Sequence, residues 1–271
     1  MIALDGRAQR VALNAAYLYA VSWRSNDELS LMIGVSGPTY PLDSATLMTW
    51  RSDRPGLTQL ASNVRAETGT HAWSRDGAAV IYGDADFPGG PPRLVRRTPE
   101  GTNVVFSATD LQRLPNGCDL VAMPSASPFG PGWSPDGRRY ATVGKMPPSE
   151  CCWFLAIGPA AGGAPSLFRA PSSCYLNGQG DWVDGERILV ELTGPSCGRT
   201  DREGRAVMVD ARSGKALGEF PVGRKSALRL SPDHRWVASV WDGGTDVIPL
   251  DDPSNRVVLP LHGILVDWCC P

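Results

Sequence analysis

The chain has no run of 18 or more apolar residues, so no part of it is suited to cross a bilayer as a helix. It has no excess of either charge, with 26 Lys and Arg against 28 Asp and Glu. There is also no basic stripe and no aromatic–basic interleaving. Nucleic acid and acidic lipid are therefore not expected partners. Histidine is scarce: His71, His234 and His262 are the three present, and each is expected to be structural or exposed, with His234 solvated in a turn. No Cys-x-x-Cys pair, zinc-ribbon spacing or EF-hand run occurs. No Gly-x-Ser-x-Gly elbow of a serine hydrolase is expected: Gly34-Val35-Ser36-Gly37 is one residue short and reads as a strand-end turn. The N-terminus lacks the charged, apolar, small-residue pattern of a secretion signal. That suits a cytoplasmic protein, or one whose upstream segment is not in this chain.

What the chain does have is a repeat. Apolar stretches end at Trp23, Trp73, Trp133, Trp182, Leu230 and Trp268, so the steps are 50, 60, 49, 48 and 38 residues. A four-stranded propeller blade takes roughly 40–50 residues. The long step is explained by an insertion at 107–127. After the anchor comes a turn such as Trp133-Ser134-Pro135-Asp136-Gly137 or Trp73-Ser74-Arg75-Asp76-Gly77, and Leu230-Ser231-Pro232-Asp233-His234 is a third copy. Pro presets φ, Asp bonds its own backbone and Gly accepts φ > 0. Short β-branched or aromatic runs follow, such as Val80-Ile81-Tyr82 and Trp236-Val237-Ala238. The anchors are expected to pack between neighbouring blades.

These features predict one all-β domain over 1–271, a six-bladed β-propeller. Blades one to five fall at about 15–63, 67–106, 128–170, 174–222 and 226–261. A sixth is composite, joining 262–268 to 2–13, because an open sheet edge would invite aggregation. Loops between second and third strands, and connections between blades, then emerge on one face. Cys118, Cys151, Cys152, Cys174 and Cys197 converge there. One or two disulfides are expected, first Cys174–Cys197 and Cys118 with Cys151 or Cys152. Reduced thiols in a cytoplasmic protein are the alternative. Cys269 and Cys270 lie on the opposite rim.

The stretch Trp133-Ser134-Pro135-Asp136-Gly137-Arg138-Arg139-Tyr140-Ala141 resembles the WD40-like (PD40) repeat of TolB-type six-bladed propellers. The copies at Trp73 and Leu230 are similar to it. The resemblance implies a bacterial, exported (periplasmic or secreted), protein-binding scaffold. The same propeller also caps prolyl-oligopeptidase-type serine peptidases. The chain lacks the N-terminal α/β domain of the TolB proteins themselves, so binding of their partner is not implied.

Other residues carry weaker chemistry. Asp84 with Asp86, and Asp242 with Asp246, place oxygen ligands in matching loops, but two carboxylates are too few for Ca²⁺. They read as solvated acids, and no metal or cofactor is expected. Ser22, Asp181, Arg229 and Asp267 precede anchors and are expected to line a polar axial channel. Leu111, Leu114, Met123, Phe129, Met146 and Trp153 are the candidate partner-binding surface on the insertion face. The expected function is non-enzymatic binding of a protein or peptide partner by a monomer. The alternatives are a hydrolase or lyase, the propeller portion of a prolyl-oligopeptidase-like peptidase, and a small-ligand sensor.

Overall fold

The computed structural model describes residues 17–25, 27–34, 44–65, 71–84, 93–107, 127–145, 153–171, 174–194, 197, 203–223, 227–241 and 244–260. These form five consecutive four-stranded antiparallel units, here called blades, with no α-helix among the described residues. Blade one is β1 (Tyr17–Trp23), β2 (Glu28–Gly34), β3 (Ser44–Arg51) and β4 (Arg54–Arg65). Blade two is β5 (His71–Trp73), β6 (Val80–Asp84), β7 (Arg93–Thr98) and β8 (Gly101–Ser107). Blade three is β9 (Ser127–Trp133), β10 (Arg139–Lys145), β11 (Trp153–Pro159) and β12 (Ser166–Arg169). Blade four is β13 (Tyr175–Trp182), β14 (Arg187–Thr193), β15 (Glu203–Asp210) and β16 (Ala216–Gly223). Blade five is β17 (Ala227–Leu230), β18 (Trp236–Trp241), β19 (Gly244–Pro249) and β20 (Val257–Leu259), with a 3₁₀ turn at Pro253–Asn255. Each blade is a meander in which every strand pairs with the next. Val64 opposite Asp84 also bridges β4 to β6, so the first two blades share one ladder.

The turn after each anchor is held by its own side chains. Ser134 Oγ donates to Asp136 Oδ1 at 2.6 Å, and that oxygen also accepts from the Arg138 amide at 3.0 Å. Ser134 Oγ in turn accepts from the Arg139 amide at 2.9 Å. Ser74 with Asp76, and Ser231 with Asp233, repeat the arrangement. The turn closes through a residue in the left-handed region, Gly77 at φ 67° and Gly137 at φ 68°. Blade five has His234 there at φ 56°.

The apolar core lies between sheets, as expected when each sheet buries both faces. Met32 and Leu47 of blade one meet Val80, Tyr82 and Val95 of blade two. Ile81, Leu94 and Phe106 meet Tyr140 and Phe154 of blade three. Leu155 and Ile157 meet Ile188, Val190 and Val207 of blade four. Leu189, Ala206 and Phe220 meet Val237 and Ile248 of blade five. Full burial of such a side chain contributes roughly 1.5–3 kcal/mol.

The anchors follow one rule: each packs on the blade before it. Trp73 joins the seam between blades one and two, Trp133 the next, Trp182 the next and Leu230 the last. Trp23 departs from the expected burial and is 56% exposed. The physical reason is its place on the first blade, since no described strand precedes it. Trp268 lies outside the described residues.

Candidate functional site

Three polar places stand out, and the strands that hold them explain each. The first is the seam between blades one and two. Register places Ser22 opposite Ser30 on one face of β1 and β2. His71 opens β5 across from them. Its Nε2 is 2.9 Å from Ser22 Oγ and also contacts Ser30 Oγ. The Trp73 indole donates to Ser30 Oγ at 2.8 Å, and the Arg24 guanidinium stacks 4.4 Å over the Trp73 ring. His71 is buried, and its Nδ1 has no hydrogen-bond partner among the described residues. Burial pushes its pKa down to about 4. An imidazole so hard to protonate is a poor general base near neutral pH. The cluster therefore reads as a packed polar seam, which Ser22 joins through Ser30 and His71.

The second place joins β13 to β17. Burial pushes the Asp181 carboxyl upward, and electrostatic interaction with Arg229, then His234, opposes this. Arg229 also donates to the Leu228 carbonyl at 2.8 Å. His234 is half-buried, where full solvation was expected. Its Nδ1 meets the Val183 carbonyl of blade four, because the left-handed turn swings the ring back over the preceding blade. Asp267 lies outside the described residues.

The third place is a cleft of about 370 Å³ between the turns of blades two and three. Ser74, Arg75 and Asp76 form one wall, Trp133, Pro135, Asp136 and Gly137 the other, and Arg96 of β7 joins them. The Trp133 wall is fixed from behind, because its indole donates to the Ala72 carbonyl at 2.9 Å. Ser74 and the Ala78 amide hold the Asp76 carboxyl below the usual range. Ser134 and the Arg138 amide do the same for Asp136. Both acids are thus fixed anions at neutral pH. Arg96 differs from Arg24 or Arg93, which pair with Glu28 and Asp84. Its Nε is buried without a partner, and among the described residues no ion pair reaches its guanidinium. Reading the sequence strand by strand missed this cleft, because its walls belong to different blades.

The remaining candidates are placed as follows. Asp84 is not a solvated acid: it pairs with Arg93, and its side chain is 9% exposed. Asp246 is also buried, with Oδ2 3.8 Å from Arg256 and Oδ1 unpartnered among the described residues. Asp84 ends β6 and Asp246 lies within β19, so both belong to strands rather than loops. Trp153 is half-buried, packs against the seam between blades three and four, and meets Tyr175 edge-on with ring centres 6.1 Å apart. Leu111, Leu114, Met123, Met146, Asp86, Asp242 and His262 lie outside the described residues, as does the side chain of Phe129.

Cys174 and Cys197 form a disulfide with Cα atoms 5.4 Å apart. It ties the connection entering blade four to the loop between β14 and β15. Cys118, Cys151, Cys152, Cys269 and Cys270 lie outside the described residues. Cys197 also belongs to a pattern overlooked by the expectation of no hydrolase elbow: Gly194-Pro195-Ser196-Cys197-Gly198 does have the Gly-x-Ser-x-Gly spacing. It connects strand to strand, whereas the elbow requires a strand running into a helix.

No family model matches the chain, and no curated protein is similar to it. Solved structures do share its fold. Pyrococcus horikoshii acylaminoacyl peptidase aligns at TM-score 0.58 and 10% identity, over 89% of this chain and 39% of that one. Prolyl oligopeptidase B from Galerina marginata aligns at TM-score 0.55 and 8% identity, over 89% of this chain and 34% of that one. A prolyl endopeptidase aligns at TM-score 0.55 and 13% identity, over 90% of this chain and 35% of that one. This chain therefore spans well under half the length of those proteins. The likeness falls on their propeller regions, and what it establishes for this chain is an all-β, propeller-like fold.

Proposed function

We propose that the chain is a TolB-type β-propeller that acts by binding a protein or peptide partner, without catalysis. The observation that carries this reading is the cleft between the turns of blades two and three, with fixed charges of both signs and the Trp133 wall. Concave sites with an apolar wall and a few placed polar groups are where ligands bind. The polar clusters outside it are already engaged in seams. The rim carrying the anchor turns is thus favoured over the opposite, insertion-bearing face.

The ring is completed by a sixth, composite blade of 262–268 and 2–13. Support comes from Trp23, which is 56% exposed where every described later anchor covers a preceding blade. Val257 and Val258 of β20 are exposed at the other end of the series. Work outside the cytoplasm is supported by the Cys174–Cys197 disulfide, since such bonds persist in oxidising compartments. The protein acts as a monomer.

A peptide library displayed on phage tests the binding reading. Enriched peptides should bind the purified protein and remain uncleaved. Turnover of peptide or ester substrates, blocked by a serine-directed phosphonate, would overturn it. A second reading rests on the fold likeness to peptidase propellers: the chain is the propeller portion of a longer peptidase. Finding a hydrolase domain in the same reading frame would establish that alternative.

A further inference from the structure

We infer that the cleft between blades two and three recognises a carboxylate carried on an apolar stem, with Arg96 as the residue that binds it. This rests on the binding reading above and names the chemistry of that site. A guanidinium has five N–H donors and no acceptor. Arg96 directs none of them to a described side chain, and its Nε is sealed from water. A ligand cannot reach that sealed atom, so recognition falls to the terminal nitrogens of the same guanidinium, on a residue that lines the cleft. The planar fork matches the two oxygens of a carboxylate through parallel hydrogen bonds.

The rest of the lining selects among anions. Asp76 and Asp136 are fixed negative charges in the same cleft, and Arg75 and Arg96 balance them. The cleft is therefore neutral overall. A phosphate dianion would meet two carboxylates, and a bulky polyanion more repulsion still. A single carboxylate meets the same two acids with less charge, which Arg96 can offset. The Trp133 indole and Pro135 offer the apolar surface for the stem behind it. The indole cannot turn away without breaking its bond to the Ala72 carbonyl. A volume of about 370 Å³ accommodates one or two amino-acid residues rather than a folded surface. The carboxylate can come from a peptide C-terminus or from an acidic side chain within a chain.

Titration calorimetry with four acetylated tetrapeptides separates these sources. The first ends in Leu with a free carboxylate, the second is its C-terminal amide, the third is an amide with an internal Glu, and the fourth is the third with Gln for Glu. Inorganic phosphate serves as the dianion control. The free acid should bind at least tenfold tighter than its amide if the terminus is read. The Glu peptide should show the same gain over the Gln peptide if a side chain is read. Arg96→Met should abolish the gain, and Arg96→Lys should retain part of it. Arg212→Met, at an exposed position of blade four outside the cleft, should leave the gain within about twofold. Far-UV dichroism and the urea midpoint confirm that each variant is folded. Peptides that bind without regard to the carboxylate, or a gain that survives Arg96→Met, would overturn the inference while leaving the binding reading intact. Phosphate binding tighter than either acid would overturn the carboxylate assignment. No binding by any peptide would remove both.

Discussion

Trp133 at the end of β9 donates its indole N–H to the carbonyl of Ala72, 2.9 Å away in the preceding blade. Trp182 is the equivalent residue one blade later, yet its Nε1 is buried with no partner among the described residues. Both rings fill a seam, so replacing either with Phe removes similar volume. Trp133→Phe also strands a carbonyl, whereas Trp182→Phe removes an unsatisfied donor. The first variant should therefore be less stable than the second by about 1–2 kcal/mol. Urea unfolding of the two variants checks this, and equal losses would show that the hydrogen bond contributes nothing.

Close approach of strands makes some glycines irreplaceable. A Cβ on Gly144 would lie 2.1 Å from the Phe154 ring. A Cβ on Gly214, at φ +69°, would lie 2.4 Å from the Leu167 carbonyl of the neighbouring blade. Gly218 has open space around the same position. Gly144→Ala and Gly214→Ala should each cost about 1–3 kcal/mol, and Gly218→Ala should be tolerated. Thermal melts of the three variants give the comparison.

Acid should weaken the seam between blades one and two through His71. Its pKa falls from 6.5 to about 4 because burial disfavours the charged ring. Between those values the unfolded chain holds a proton that the folded chain does not. Stability therefore rises with pH across the window, is complete above 6.5, and is lost as pH falls toward 4. The whole span is worth about 3 kcal/mol. Urea midpoints from pH 7.5 to 4 should show this slope, and His71→Gln should flatten it. An unchanged slope in the variant would assign the effect to other groups.

Cys174 and Cys197 close a loop with a sequence separation of 23. Such a cross-link stabilises by about 3 kcal/mol through the unfolded chain. Peptide mapping of unreduced, alkylated protein should recover the two cysteines as one linked species. Reduction, or Cys174→Ser with Cys197→Ser, should lower the melting temperature. Alkylation of both thiols without prior reduction would contradict the bond.

Parts of this arrangement were readable from the chain because they are local. The Ser-x-Asp-Gly turns state their own hydrogen bonds, and the runs around them alternate between the two faces of a sheet. That is enough for the all-β class and its antiparallel sheets. Placing Cys174 before β13 and Cys197 after β14 puts both on one side of blade four, so their pairing follows from strand direction. Other features depend on which blade faces which. Asp84 and Asp246 look like loop acids in sequence, yet both lie in strands, with buried side chains beside Arg93 and Arg256. His234 has the place of a turn glycine, and nothing local says that Val183 waits beneath it. Arg96 is one of several arginines in β7 and its flank. Its lack of a partner emerges only when the turns of two blades stand side by side.

The placing of apolar cores between sheets bears on how the chain is made. A ribosome releases it from the N-terminus, so each completed meander waits with one greasy side bare until its successor is synthesised. The delay is about the time needed to translate a single repeat, on the order of seconds. Throughout synthesis the nascent protein exposes one moving patch on the youngest finished sheet and one fixed patch beside Trp23 on the first.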